Sequence, residues 1–97
     1  MSERIRTHPG EVLREEFLVP LGMSANALSK ALEVPPNRIT SILNCTRGVS
    51  ADTALRLARY FGTSPEFWVN LQIAHDLALA KVKVGRKIER AVRPRAA

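Results

Sequence analysis

The sequence predicts an all-α domain of five helices, residues 1–80, followed by a basic C-terminal tail, residues 81–97. Three observations support this class. Apolar residues recur at spacings of three and four along most of the chain, which is the helical period. Serine, proline or both stand where each of the five helices would begin. A length of 97 residues suits one domain with a modest core.

The first two helices have recognisable ends. Pro9 fits the first position of helix 1, after Thr7 or His8, and Gly22 lies beyond its end. Ser24 is expected to cap helix 2. The predicted inner stripe of helix 2 consists of Leu28, Ala31 and Leu32, and the residues expected to face outward are Asn26, Ser29, Lys30 and Glu33.

A sharp break separates helix 2 from helix 3. Pro35 prevents continuation of helix 2, and Pro36 opens the next helix. Ile39, Ile42 and Leu43 share the inner face of helix 3 at the spacing i, i+3, i+4. The opposite face consists of Asn37, Ser41 and Asn44, flanked by Arg38 and Thr40.

The last two helices follow the same rules. Ser50 caps helix 4, with Asp52 in its first turn, and Gly62 ends it. Helix 5 opens at Ser64-Pro65 and is apolar nearly all round, which requires cover on more than one side. We therefore expect a homodimer with an interface formed by Trp68, Val69, Ile73 and Leu77. Past Gly85 the helical pattern fails.

Composition limits the possible functions. The tail carries seven basic residues against Glu89, a net charge of +6, whereas residues 1–80 carry eight of each sign. Such a tail suits nucleic acid, an acidic protein or an anionic surface, or only aids solubility. The absence of a signal-peptide pattern or long apolar run predicts a cytoplasmic protein with no membrane partner. Cys45, the single cysteine, and the two histidines form no catalytic or metal-binding pattern, so we expect no enzyme, no metal and no cofactor.

Two helices joined at a sharp angle by Glu33-Val34-Pro35 constitute a helix-turn-helix. Helix 3 would then present its polar face to a DNA major groove, where Asn suits adenine and Arg suits guanine. We expect base contacts from Asn37, Arg38, Thr40, Ser41 and Asn44. Ser24, at the start of helix 2, and Arg47, after helix 3, are expected to bind phosphate groups.

Three blocks also resemble a known family. THPGEVLREEFLVPLGMS, ALSKALEVPPNRITSILN and GVSADTALRLARYFGTSPEFWVNLQ lie within residues 7–72. They resemble the lambda-repressor-like, or Xre-type, helix-turn-helix domain and, more narrowly, HigA-type antitoxins of bacterial toxin–antitoxin modules. The HPGE opening and the FGTSPEFWVNLQ run are the most specific motifs.

The resemblance implies a homodimer that binds a palindromic operator in its own operon and neutralises a RelE-like mRNA endonuclease toxin. It places Asn26 among the DNA-contacting residues. Relatives often have Gln at the position of Ala25, where it contacts the DNA backbone or a base, and alanine cannot make that contact. Two alternatives remain: a stand-alone Xre-type regulator without a toxin, and a toxin-binding protein with vestigial DNA binding.

Overall fold

The structure, a computed structural model, describes residues 7–96 and contains five helices and no strand within that range. The helical stretches Pro9–Val12, Leu13–Leu18 and Val19–Leu21 follow one another without interruption and together form α1. The other helices are α2 (Ala25–Leu32), α3 (Pro36–Leu43), α4 (Ala51–Phe61) and α5 (Pro65–Ala91). The prediction of an all-α, five-helix fold is confirmed.

Serine side chains begin three of the helices. In each case the serine Oγ accepts a hydrogen bond from the backbone N–H three residues later: Ser24 from Ala27 at 3.1 Å, Ser50 from Thr53 at 3.3 Å, and Ser64 from Phe67 at 3.1 Å. These bonds satisfy backbone donors that have no partner inside the helix. The three serine caps predicted from the sequence are confirmed.

The start of α1 is fixed against the end of α3. His8 Nδ1 accepts the N–H of Gly10 at 2.9 Å and caps the helix, with Pro9 at the first position. A Cβ on Gly10 would lie only 1.9 Å from the carbonyl oxygen of Ile42, so the two backbones touch. One turn later Arg14 Nη2 donates to the carbonyl of Leu43 at 2.9 Å.

The middle of α1 is widened. Leu13–Leu18 is π-helical, and the N–H of Val19 bonds to the carbonyl of Arg14, five residues earlier. Pro20 lies two residues after the end of this stretch. Proline has no N–H to donate, and its ring clashes with the carbonyl four residues back in a regular helix. The helix then ends at Gly22, which is left-handed with φ 60°.

One core joins the five helices. Its members with no exposed surface are Leu13, Leu28, Ile39, Ile42, Ala54, Leu57 and Trp68. The Trp68 ring packs 5.1 Å from Phe17, centroid to centroid, and its Nε1 donates to Thr63 Oγ1 at 2.8 Å. Because Trp68 is buried inside a single chain, it has no surface to offer a second subunit, and its assignment to a dimer interface was wrong.

The buried face of α2 is rotated from the predicted one. Ser29 is buried and Ala31 is exposed, the reverse of the sequence prediction. The Ser29 hydroxyl donates to the carbonyl of Asn26 at 2.7 Å, so the polar side chain enters the interior with its hydrogen bond made.

The predicted failure of the helical pattern past Gly85 is wrong, because α5 continues to Ala91 and includes most of the basic segment 81–97. Gly85 costs a helix only about 1 kcal/mol, and the Lys and Arg residues around it are good helix formers. The 27 residues of α5 span about 40 Å, and the molecule measures 52 × 25 × 21 Å. Only the first part of α5 packs on the core, and from Ala80 onward almost every described residue is exposed. No helix within residues 7–96 has the length and apolar character needed to span a bilayer.

Candidate nucleic-acid interface

The turn between α2 and α3 has the geometry of a helix-turn-helix. Glu33 ends α2 in the left-handed region, with φ 58°, where glycine is usual. Val34 is buried, and its N–H bonds to the carbonyl of Ser29 at 3.0 Å. Pro35 is extended and Pro36 opens α3. The turn therefore fixes the direction of α3 through one buried side chain and two prolines.

The polar face of α3 is open. Asn37, Thr40 and Asn44 are exposed, and Ser41 is half-buried. On the opposite face Ile39 and Ile42 have no exposed surface. Because the apolar face holds α3 to the core, the backbone of α3 is fixed in place and its polar side chains are available to an external ligand.

The segment after α3 is held to its last turn. The carbonyl of Ser41 accepts the N–H groups of Thr46 at 3.0 Å and Arg47 at 3.2 Å, and the Thr46 hydroxyl at 3.1 Å. Arg47 is exposed. Its backbone is thus fixed beside the end of α3, where its guanidinium is available to an anion.

The start of α2 presents two of the predicted residues, Ser24 and Asn26, both exposed. The Ser24 Oγ accepts the cap hydrogen bond and keeps its own O–H to donate. Ala25 is half-buried and carries no polar group. At this end of α2 the structure therefore offers a hydroxyl and an amide, with no long polar side chain between them.

Arg38 differs from the other predicted residues because it already forms an ion pair. Its Nη1 lies 3.1 Å from Asp52 Oδ1, and the same oxygen accepts Arg56 Nε at 2.8 Å. The hydrogen bond from Arg56, followed by the charges of both arginines, lowers the pKa of Asp52 below its ordinary value. This contact was not predicted from the sequence. The Asp52–Arg56 pair has the helical i, i+4 spacing and was detectable, but Arg38 and Asp52 are fourteen residues apart on different helices.

The predicted self-association residues lie on α5. Ile73 and Leu77 are more than half exposed, at 57% and 53%, and Val69 is half-buried against the core. The same face continues beyond the core through Val84 and Ile88, which are also exposed. The result is an apolar stripe along one side of α5.

Comparison with known proteins identifies this architecture. The family described as helix-turn-helix matches residues 13–68. Virulence-associated protein I of Dichelobacter nodosus is 58% identical over 80 residues, which cover 82% of this chain and 74% of that protein. An addiction module antidote protein of the HigA family from Coxiella burnetii superimposes with a TM-score of 0.89 and 54% identity, covering 95% of this chain and 100% of that one.

The Pseudomonas aeruginosa antitoxin HigA, whose structure was solved with the higBA promoter, has a TM-score of 0.91 and 45% identity. That match covers 96% of this chain and 100% of the other. The chain therefore belongs to the Xre-type helix-turn-helix family and, within it, to the HigA-type antitoxins.

Proposed function

We propose that the protein is a DNA-binding antitoxin that represses its own toxin–antitoxin operon and neutralises a RelE-like mRNA endonuclease. The observation that carries the DNA-binding part is the exposed polar face of α3, held rigidly by a buried apolar face. The similarity to an antitoxin solved with promoter DNA supports the same ligand class. DNA binding would require access to the compartment that holds the operon, in line with the expected cytoplasmic location.

In this proposal α3 lies in the major groove. Asn37 and Asn44 would make paired hydrogen bonds to adenine, Arg38 would bind guanine, and Thr40 and Ser41 would contact base edges on either strand. The free N–H groups at the start of α2, with Ser24 and Asn26, would bind phosphate, as would Arg47. No cofactor takes part.

The apolar stripe of α5 supports a homodimer. Ile73 and Leu77 are too exposed to contribute to the core of one chain, and burying apolar area contributes about 25 cal/mol per Å². A two-fold dimer would present two copies of α3 to successive major grooves about 34 Å apart, which requires a palindromic operator.

Titrating DNA from upstream of the gene with purified protein tests the repressor role. We expect Asn37→Ala or Arg38→Ala to weaken binding by about 1–3 kcal/mol and to relax sequence preference. Arg47→Ala should weaken all sequences about equally and reduce the salt dependence. Asn70→Ala, which removes an exposed amide from α5, is the matched control and should have no effect. Absence of sequence preference in the unmodified protein at moderate salt would refute the repressor role.

The toxin part needs a separate experiment. Co-expression with the small gene next to this one should relieve growth arrest, and the two products should co-purify. Sequence-specific DNA binding without any such partner would identify a stand-alone regulator instead. Toxin neutralisation that persists without operator binding would identify a toxin-binding protein with vestigial DNA binding.

A further inference from the structure

A chain of hydrogen bonds connects the end of α2 with the polar face of α3. Arg56 Nη1 donates to the carbonyl of Leu32, the last residue of α2, at 2.8 Å and to that of Glu33, the first residue of the turn, at 3.3 Å. Arg56 Nε donates to Asp52 Oδ1 at 2.8 Å, and the same oxygen accepts a hydrogen bond from Arg38 Nη1 at 3.1 Å. Asp52 is therefore held in position by Arg56 of α4, which is itself bonded to the end of α2, independently of the contact with Arg38.

The contact leaves Arg38 capable of binding. A guanidinium has five N–H donors, and the ion pair with Asp52 uses one of them. The Arg38 side chain keeps 32% of its surface exposed. The remaining donors are therefore available to a planar acceptor pair, while the Asp52 contact limits the directions in which the guanidinium points.

We propose that Asp52 is a positioning residue that orients the Arg38 guanidinium for a bidentate contact with a guanine edge. This inference rests on the proposed role of α3 in reading DNA. An arginine that is ordered before binding loses less conformational freedom when it meets its base, which corresponds to about a five-fold gain in affinity for the correct sequence. The gain does not extend to sequences on which Arg38 finds no guanine.

A negative charge near the interface also has a simpler effect. Asp52 repels phosphate, and removing its charge strengthens binding to every DNA sequence, most at low salt. The two effects have different signatures. Repulsion changes the affinity for all sequences by the same factor, whereas positioning changes the ratio of specific to non-specific affinity and requires Arg38.

A double-mutant cycle separates them. The unmodified protein, Asp52→Asn, Arg38→Ala and the double variant are titrated with two duplexes of equal length, at two salt concentrations. The first duplex is selected by the unmodified protein from a randomised library, and the second has a random sequence. Glu66→Gln is the matched control, because it removes one charge from the first turn of α5. Circular dichroism verifies that each variant is folded at the assay temperature.

We expect Asp52→Asn to reduce the specific-to-random affinity ratio about five-fold in the presence of Arg38 and to leave it unchanged in the Arg38→Ala background. Glu66→Gln should not change the ratio. An Asp52→Asn protein whose affinity rises equally for both duplexes, with an unchanged ratio, would overturn the positioning role.

The other outcomes distinguish the two proposals. If the unmodified protein enriches no sequence from the library, the proposed repressor function fails and the role of Asp52 fails with it. If a sequence is enriched but Arg38→Ala does not reduce the ratio, the positioning role is overturned while sequence-specific binding by other α3 residues stands.

Discussion

Gly10 occupies a position where even one methyl group does not fit. Substitution with alanine would place Cβ 1.9 Å from the carbonyl oxygen of Ile42 and 2.9 Å from its carbonyl carbon. Real contacts of this kind essentially never fall below 3.0 Å. The start of α1 and the last turn of α3 would therefore have to separate by about 1 Å, because the obstructing atoms belong to a backbone and not to a flexible side chain.

The expected free energy change is a difference of two terms. Forcing an extra methyl group into a packed contact costs about 1–3 kcal/mol, and a rigid backbone favours the upper part of that range. Replacing glycine by alanine within a helix returns about 0.5–1 kcal/mol. Gly10→Ala should therefore lower the free energy of unfolding by about 2 kcal/mol. Because Ile42 lies in α3, the operator affinity should fall as well.

Gly85→Ala is the matched control for this substitution. A Cβ there has one neighbour, Lys81 Cβ, at an ordinary contact distance of 3.9 Å. No steric cost then offsets the higher helix propensity of alanine, and the free energy of unfolding of this variant should rise by about 0.5–1 kcal/mol. Urea unfolding followed by circular dichroism measures both variants at one protein concentration.

The essential result is that the free energy of unfolding falls in Gly10→Ala and rises in Gly85→Ala. If Gly10→Ala proved as stable as Gly85→Ala, α1 would not be packed against the α3 backbone as described. The conclusion that contact with α1 fixes the position of α3 would then be unsupported.

Four further substitutions test other contacts. Burial, followed by the charge of His75, lowers the pKa of His8, so the contribution of His8 to folding stability is complete above the ordinary pKa of 6.5 and is lost as the pH falls below it. His8→Asn keeps an acceptor for the helix cap but removes the titrating group, so the melting temperature of the variant should depend less on pH in that range. Glu33→Gly should raise the free energy of unfolding by about 0.5–1 kcal/mol, measured in urea, because it relieves a left-handed backbone. Trp68→Ala should lower that free energy by about 3–5 kcal/mol, whereas Ile73→Ala, on the exposed stripe, should leave the chain folded and weaken association in sedimentation; equal folding defects would contradict the division between core and surface.

Local chemistry explains what could be predicted from the sequence. Serine caps and first-turn prolines act within three or four residues, so the starts of α2 to α5 were readable. The polar face of α3 was also readable, because the same eight residues carry both its buried and its exposed sides. The rotation of α2 escaped prediction, since a serine can be buried whenever a nearby carbonyl accepts its hydroxyl, as that of Asn26 does for Ser29.

Contacts between residues that are distant in the sequence could not be predicted from it. Nothing near Gly10 in sequence indicates that Ile42 lies against it, and nothing near Arg38 indicates Asp52. The length of α5 was missed for a different reason. Gly85 weakens a helix without ending it, and the apolar positions Val84 and Ile88 extend the stripe formed by Ile73 and Leu77. Gly22 and Gly62 end helices and are left-handed, whereas Gly85 lies within α5, and the residue type alone does not distinguish the two cases.

The overhang of α5 has a consequence for the lifetime of the chain. The part of α5 beyond the core continues a helix that is already formed, but it has no packing of its own within residues 7–96, so we expect it to fray more readily than the rest of the helix. A solitary copy would fray there more often than a copy in the proposed dimer, and fraying would expose a lysine- and arginine-rich segment to proteolysis. The rate of proteolysis would then depend on the protein concentration and would be highest when the concentration is too low for dimers to form.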